Sequence, residues 1–181
     1  MNTANVSAGK PRAAGAIFRA PIGTTLPTSA NDTLDTAFVE LGFVSDDGVT
    51  NNNAAETDDI NAWGGTPVLN IQTAKPDEWT FTLIESLNVN VLKTVYGDAN
   101  VTETNGVIHV EAKSAQVPDS VYVIDMAMRD GALKRVLIPV GSLGEVGEIV
   151  YKDDEPVGYE LTIKALDNGS GKTHDEWIAP A

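Results

Sequence analysis

Residues 79–97 read WTFTLIESLNVNVLKTVYG, and this stretch decides the fold. It opens as a strand, with Trp79, Phe81 and Leu83 alternating against Thr80 and Thr82. The period then changes. Leu87, Val91, Leu92 and Val95 recur at helical spacing, with Ser86 as the expected N-cap, Lys93 near the C-terminal end of the dipole and Gly97 as the stop. Leu87, Val89 and Val91 also alternate with Asn88 and Asn90, so a strand competes here, and the end signals favour the helix. Nearly everything else reads as β. One amphipathic helix set into a β chain narrows the architecture considerably.

Upstream, residues 1–12 are small and polar, uncharged until Lys10 and Arg12, and read as a mobile arm, residues 1–13, ahead of a β domain over 14–181. Residues 14–20 (AGAIFRA) predict a first strand. After a Pro-bounded connection, residues 38–45 (FVELGFVS) predict a strand with Val39, Leu41 and Phe43 on one face. Residues 46–65, DDGVTNNNAAETDDINAWGG, hold Asp46, Asp47, Glu56, Asp58 and Asp59 and no basic residue. They read as a long polar loop, of a length that is usually functional or disordered. Trp63 near its end is costly to leave in water, so one end of the loop is expected to dock.

Strands resume at 68–73 and 78–84, with Ala74-Lys75-Pro76-Asp77 as the expected hairpin turn. Downstream of the helix the chain reads as paired strands. Ile108, Val110 and Ala112 share a face, as do Tyr122, Ile124, Met126 and Met128. Val157, Tyr159, Leu161, Ile163 and Ala165 alternate cleanly with Gly158, Glu160, Thr162 and Lys164. Strands at 133–140 and 145–152 fit between these. Asn105-Gly106 and Asp130-Gly131 are hairpin signals. Residues 152–156 (KDDEP) form an acidic turn, and 169–181 a short polar tail containing Trp177 and Ile178.

Composition bounds the function. Twelve basic residues face 26 acidic ones, a net charge of −14. Such a chain is repelled by phosphates, which argues against a conventional nucleic-acid binder. Cysteine is absent, which removes disulfides, thiolate metal sites and thiol nucleophiles. The first thirty residues carry no signal-peptide apolar region, and no run approaches a membrane span of about 18 residues. The reading is of a protein made in the cytosol, without a membrane partner.

Tests for chemistry mostly fail. Asn168 to Thr173 (NGSGKT) resembles a phosphate loop fragment, but Leu166 stands where the motif needs its first glycine. His109 falls on the polar side of its strand and His174 in the tail, neither with a second histidine at metal-binding spacing. Ser142 in VGSLGE lacks a nucleophile-elbow pattern. The acidic pairs Asp46/Asp47, Asp58/Asp59 and Asp153/Asp154 lack calcium-loop spacing. Four N-x-S/T sequons, at Asn5, Asn31, Asn100 and Asn168, mean little without a secretory signal. Trp63, Trp79 and Trp177 lie in separate segments and form no sugar platform; Trp79 reads as core. No catalytic residue, cofactor or metal is expected.

With these residues read, the chain resembles the major tail proteins, or tail tube proteins, of long non-contractile-tailed bacteriophages, most of all those of actinobacteria. The resemblance is carried by 14–30 (AGAIFRAPIGTTLPTSA) after the polar arm, by 38–50 (FVELGFVSDDGVT) entering the acidic loop, by 79–101 around the helix, and by the hairpins through 107–166. It implies a mainly β tail tube fold: a β-sandwich or partly open barrel of antiparallel strands with one packed α-helix. It implies homohexameric rings stacking into a hollow virion tail tube through which genomic DNA passes without specific binding. Its partners would be further copies, with initiator, tape measure and terminator proteins, and its place of synthesis the host bacterial cytoplasm. The added immunoglobulin-like domain of some relatives is not expected.

On this reading an acidic lumen repels DNA, with Glu145, Glu148 and Glu160 the inward candidates by alternation. Contacts between rings fall to the arm and to the loop residues Asp46, Asp47, Asn51, Asn52, Asn53, Asp58, Asp59 and Trp63. Two other classes compete. A monomeric β-sandwich binding module, a phage decoration or carbohydrate-binding protein, predicts clustered exposed aromatics. A small hydrolase on a jelly-roll scaffold predicts a convergent polar site. The sequence supplies neither.

Overall fold

A computed structural model describes residues 1–12 and 15–181. The expected first strand at 14–20 begins at Ile17; its residue Ala14 lies outside the described residues. The strands are β1 (Lys10–Pro11), β2 (Ile17–Pro21), β3 (Val39–Glu40), β4 (Val44–Asn52), β5 (Glu56–Asn61), β6 (Pro67–Ala74), β7 (Glu78–Leu83), β8 (Val101–Thr104), β9 (Val107–Val110), β10 (Ser120–Ala127), β11 (Leu133–Val146), β12 (Tyr159–Ala165) and β13 (Asp175–Ala179). Among the described residues the one α-helix is α1 (Val89–Tyr96). Nine strands form one antiparallel sheet in the order β3-β2-β10-β11-β12-β7-β4, with β1 added to β10 and β13 to β11.

The fourteen-residue β11 organises this sheet. It pairs β10 from Leu133 to Gly141, β13 from Leu133 to Leu137, and β12 from Gly141 to Val146. Gly141 is where the partners meet, opposite both Ser120 and Ala165. A Cβ there would stand 2.6 Å from the Tyr122 ring and 2.9 Å from Ile163 Cγ2, so the crossing needs glycine.

The sheet curls without closing. Its end strands β3 and β4 do not pair, yet only Leu41, Gly42 and Phe43 join them. Four Cα steps hold the two ends within about 14 Å. The result is sandwich-like, with the main core inside the curl: Ile17, Leu41, Phe81, Leu83, Tyr122, Ile124, Val136, Ile138, Leu161 and Ile163, capped by Val91, Leu92 and Val95 of α1. Trp79 belongs to this core, as its alternation predicts. A smaller cluster on the other side of the sheet joins Ala20, Val121, Val123 and Leu137 to Phe18, Leu34, Phe38 and Trp177. On that side the fully buried Arg135 pairs both carboxylate oxygens of Asp125 at 2.7 Å. Its Nη1 donates to the carbonyls of Ser29 (3.1 Å) and Asp32 (2.8 Å), pinning the long connection before β3.

The helix is confirmed, but its start is not Ser86. Asn88 takes the N-cap, its side-chain oxygen accepting from the Asn90 N–H at 2.9 Å, and Leu87 stays outside the helix and exposed. Glu85 holds this cap in place: its carboxylate accepts from the Phe43 N–H and from Nδ2 of Asn88. Gly97 ends the helix as expected, its N–H reaching the Lys93 carbonyl at 2.9 Å. Both hairpin signals hold, with Asn105, Gly106, Asp130 and Gly131 at positive φ.

Five further expectations change. Val39, Leu41 and Phe43 do not share a buried face: Leu41 is buried in the link, while Val39 and Phe43 are exposed. Residues 46–65 are not one loop but most of β4, a three-residue link, all of β5 and a tight turn. Ala74 to Asp77 is no hairpin turn, because β6 pairs β5 whereas β7 pairs β4 and β12. The strand expected at 145–152 is absent beyond Val146, since β11 runs straight through from Leu133. The tail contains a strand, β13, placed on β11 by backbone pairing and by Trp177.

Gly141→Ala is expected to overpack the strand crossing and cost about 1–3 kcal/mol. Urea unfolding of the purified chain checks this, and an unchanged midpoint would contradict the close approach described.

Candidate assembly surfaces

β5 and β6 leave the sheet as a separate two-stranded ribbon, paired among the described residues only with each other. Every residue in both strands is exposed. The register sorts its faces. Asp58 lies opposite Ile71 and Ile60 opposite Leu69, so these four point one way. Thr57 with Gln72 and Asp59 with Asn70 point the other, the last pair joined by a 2.7 Å hydrogen bond. One side is therefore apolar apart from Asp58, and the other polar. The turn is closed by the Ala62 N–H on the Thr66 carbonyl at 2.8 Å, and Trp63 on it is wholly exposed (107%). The docking expected of Trp63 is not made within the subunit.

An isolated hairpin is marginally stable in water. This ribbon keeps Ile60, Trp63, Leu69 and Ile71 in solvent at that margin, together with Val68 at a bulge.

The ribbon's root is built around Asp77, which is 4% exposed. Its Oδ1 accepts from Asn51 Nδ2 (2.8 Å) and Trp79 Nε1 (3.1 Å). Its Oδ2 accepts from Thr173 Oγ1 (2.6 Å) and contacts His174 Nδ1 (2.5 Å). The His174 ring also meets Trp79 edge-on, with centroids 5.3 Å apart. Burial works to raise the Asp77 carboxyl; the hydrogen bonds from Thr173, His174 and Asn51 outweigh it and hold the group below its ordinary range.

The residues expected at ring contacts thus divide. Asp58, Asp59 and Trp63 share the ribbon with the apolar residues. Asn51 faces inward to Asp77, while Asn52 and Asn53 lie at the upstream root. Asp46 and Asp47 are exposed where the β4–β7 register shifts, about 20 Å of strand from Asn52. Sequence reasoning missed Ile60, Leu69, Ile71, Asp77 and His174. The alternation of Asp58, Ile60 and of Leu69, Ile71 across the AWGG turn was the signal available for the first three.

A second surface is the outward side of β7, β12 and the end of β11. Thr80 and Thr162 bond across it at 3.0 Å. Glu78, Glu145 and Glu160 lie on this side with Lys164, whose ammonium is 3.4 Å from Glu78. Three carboxylates against one lysine leave it negative. Glu148 is exposed beyond the end of β11.

A third surface is the N-terminal arm. It lies along the β10–β11 hairpin, with β1 on Met126 and Ala127, the Arg129 N–H on Ser7 Oγ (2.6 Å) and Arg129 Nη1 on the Thr3 carbonyl (3.2 Å). An open cleft of about 460 Å³ runs beside Arg12, Asp32, Asp35 and the Asp125–Arg135 pair.

The phosphate-loop fragment is filled from within: Asp167 Oδ1 accepts the N–H groups of Gly169 (2.9 Å) and Gly171 (2.8 Å). Among the described residues no group of three or more His, Asp or Glu is placed to hold a metal ion. No described helix is long and apolar enough to cross a membrane.

Because the Asp77 carboxyl is lowered in the fold, its stabilising contribution is complete above its unfolded value, about 3.9, and is lost as pH falls through the folded value. Asp77→Asn is expected to cost about 2 kcal/mol at pH 7. The gap from the parent should narrow below about pH 4. Urea midpoints from pH 7 to 3 test this; a gap constant across that range would contradict it.

No curated protein matches the chain. A family model described as phage tail tube protein matches residues 3–181, nearly the whole length. An unpartnered amphipathic ribbon, an acidic sheet surface and a curled antiparallel sheet with one helix suit a subunit made to be joined to others, and the chain belongs to the phage tail tube protein family, a structural component of the virion tail.

Proposed function

We propose that six copies of this chain close into a ring and that the rings stack into the hollow tail tube of a long non-contractile-tailed phage, through which genomic DNA leaves. The observation that carries this reading is the β5–β6 ribbon, exposed throughout and apolar along one side. Ile60, Leu69 and Ile71 are about half exposed in the subunit, so covering the remainder yields about 1 kcal/mol each. A second copy is the occupant this reading assigns, since family membership already makes self-assembly the setting in which the chain works. A head-to-tail contact closes a ring when its rotation permits and otherwise continues as a filament. The free edges of β3, β4 and β13 offer backbone pairing for ring closure, and the ribbon and N-terminal arm offer contacts between rings.

The surface bearing Glu78, Glu145 and Glu160 is assigned to the lumen, with Glu148 at its margin. A negative wall repels phosphates and keeps the genome from adhering during passage. The role asks for no cofactor and no catalytic group. Initiator, tape measure and terminator proteins are the further partners of this reading, and the host cytoplasm is its place of synthesis.

Replacing Ile60, Leu69 and Ile71 together by Thr is expected to keep the fold, because none belongs to either core, and to abolish tube formation. Circular dichroism and negative-stain microscopy check both halves; normal tubes from the triple variant would remove the ribbon from the assembly. For the lumen, Glu145→Lys with Glu160→Lys is expected to permit assembly and slow DNA ejection. Ejection at the parental rate from such virions would move those residues off the lumen.

A further inference from the structure

We propose that the Asp77 carboxylate is a relay coupling the order of the β5–β6 ribbon to the order of the edge strand β13. The ribbon leaves the sheet through two roots, residues 53–55 and 75–77. Asp77 is the end of the second and grips Asn51, just ahead of the first, at 2.8 Å. Its other oxygen holds Thr173 and His174, the two residues that lead into β13. Its main-chain carbonyl accepts the Ala165 N–H at 2.8 Å, which fixes the hub to the end of β12. One buried carboxylate thus joins the ribbon and the C-terminal strand, segments about a hundred residues apart in sequence.

The coupling follows from burial. A carboxylate out of water is tolerated only while its lone pairs are filled. Asn51 and Trp79 fill one oxygen, and Thr173 and His174 the other. If the C-terminal pair leaves, the group must turn toward water, and its hold on Asn51 loosens. If Asn51 leaves, Thr173 and His174 lose their anchor in the same way. Residues 166–174 have few other ties to the sheet. Leu166 N–H reaches the Val140 carbonyl at 2.8 Å, whereas Asp167 and Asn168 bond within their own turn.

Such coupling is reciprocal. Capture of the ribbon by a neighbouring copy would firm β13 on β11, and with it the edge that β13 offers; this consequence rests on the assembly reading, while the coupling is a property of the subunit itself.

Hydrogen exchange on the full-length chain tests it, comparing the parent with Thr173→Val, His174→Ala and Asn51→Ala. The two C-terminal variants are expected to speed exchange about fivefold or more at 51–52 and 75–78 as well as at 175–179. Asn51→Ala is expected to speed exchange by a similar factor at 175–179, with the β8–β9 hairpin unchanged in all three. Effects confined to each variant's own segment would overturn the relay. The tube-forming role is judged separately, by microscopy of the ribbon variant, so either idea can fail alone.

Discussion

One constraint organises this molecule: β11 must serve three neighbours. Leu133 to Leu137 lie between β10 and β13, Gly141 to Val146 lie beside β12, and the change of partner passes through Gly141, where the Tyr122 ring and Ile163 leave no room for a side chain. The curl of the sheet brings the apolar sides of β2, β10, β12 and β7 toward one another and toward α1. The three-residue link from β3 to β4 then draws the open ends together, with Leu41 as its buried pin. Once the curl has formed, most of the large apolar side chains have been used. The ribbon and the carboxylate-bearing surface are left facing outward.

The parts legible in the sequence are those whose burial is one-sided and local. Tyr159, Leu161, Ile163 and Ala165 alternate because only one side of β12 meets the core. Asn105-Gly106 and Asp130-Gly131 announce their hairpins because few other residue pairs take the required backbone. The helix was visible in Val91, Leu92 and Val95, although its cap falls on Asn88, whose side-chain amide is held by Glu85, and not on Ser86.

The parts that were not legible depend on long-range pairing. β13 is polar at Asp175 and Glu176 and owes its place to the β11 ladder and to Trp177. β4 read as a loop because its acidic residues are exposed and its partner β7 lies beyond the ribbon, and β5 because all six of its residues are exposed although its partner β6 follows across the turn. Asp77 looked like a turn residue, and nothing nearby in sequence announces Thr173 and His174 as its partners. The assembly surface was only half visible: Asp58, Asp59 and Trp63 stood out in a polar stretch, whereas Leu69 and Ile71 were counted toward an ordinary strand and Ile60 was read as part of the polar loop.

A phage tail tube protein must be stable enough to persist and incomplete enough to polymerise. This one keeps its core within the curled sheet and displays apolar residues on a ribbon rooted in a buried carboxylate. Cryo-electron microscopy of tails assembled from this chain tests the central claim most directly. The account predicts six-fold rings around an open channel, with Ile60, Leu69 and Ile71 buried against a neighbouring copy. A tail wall in which the ribbon projects into solvent and touches no other subunit would contradict it.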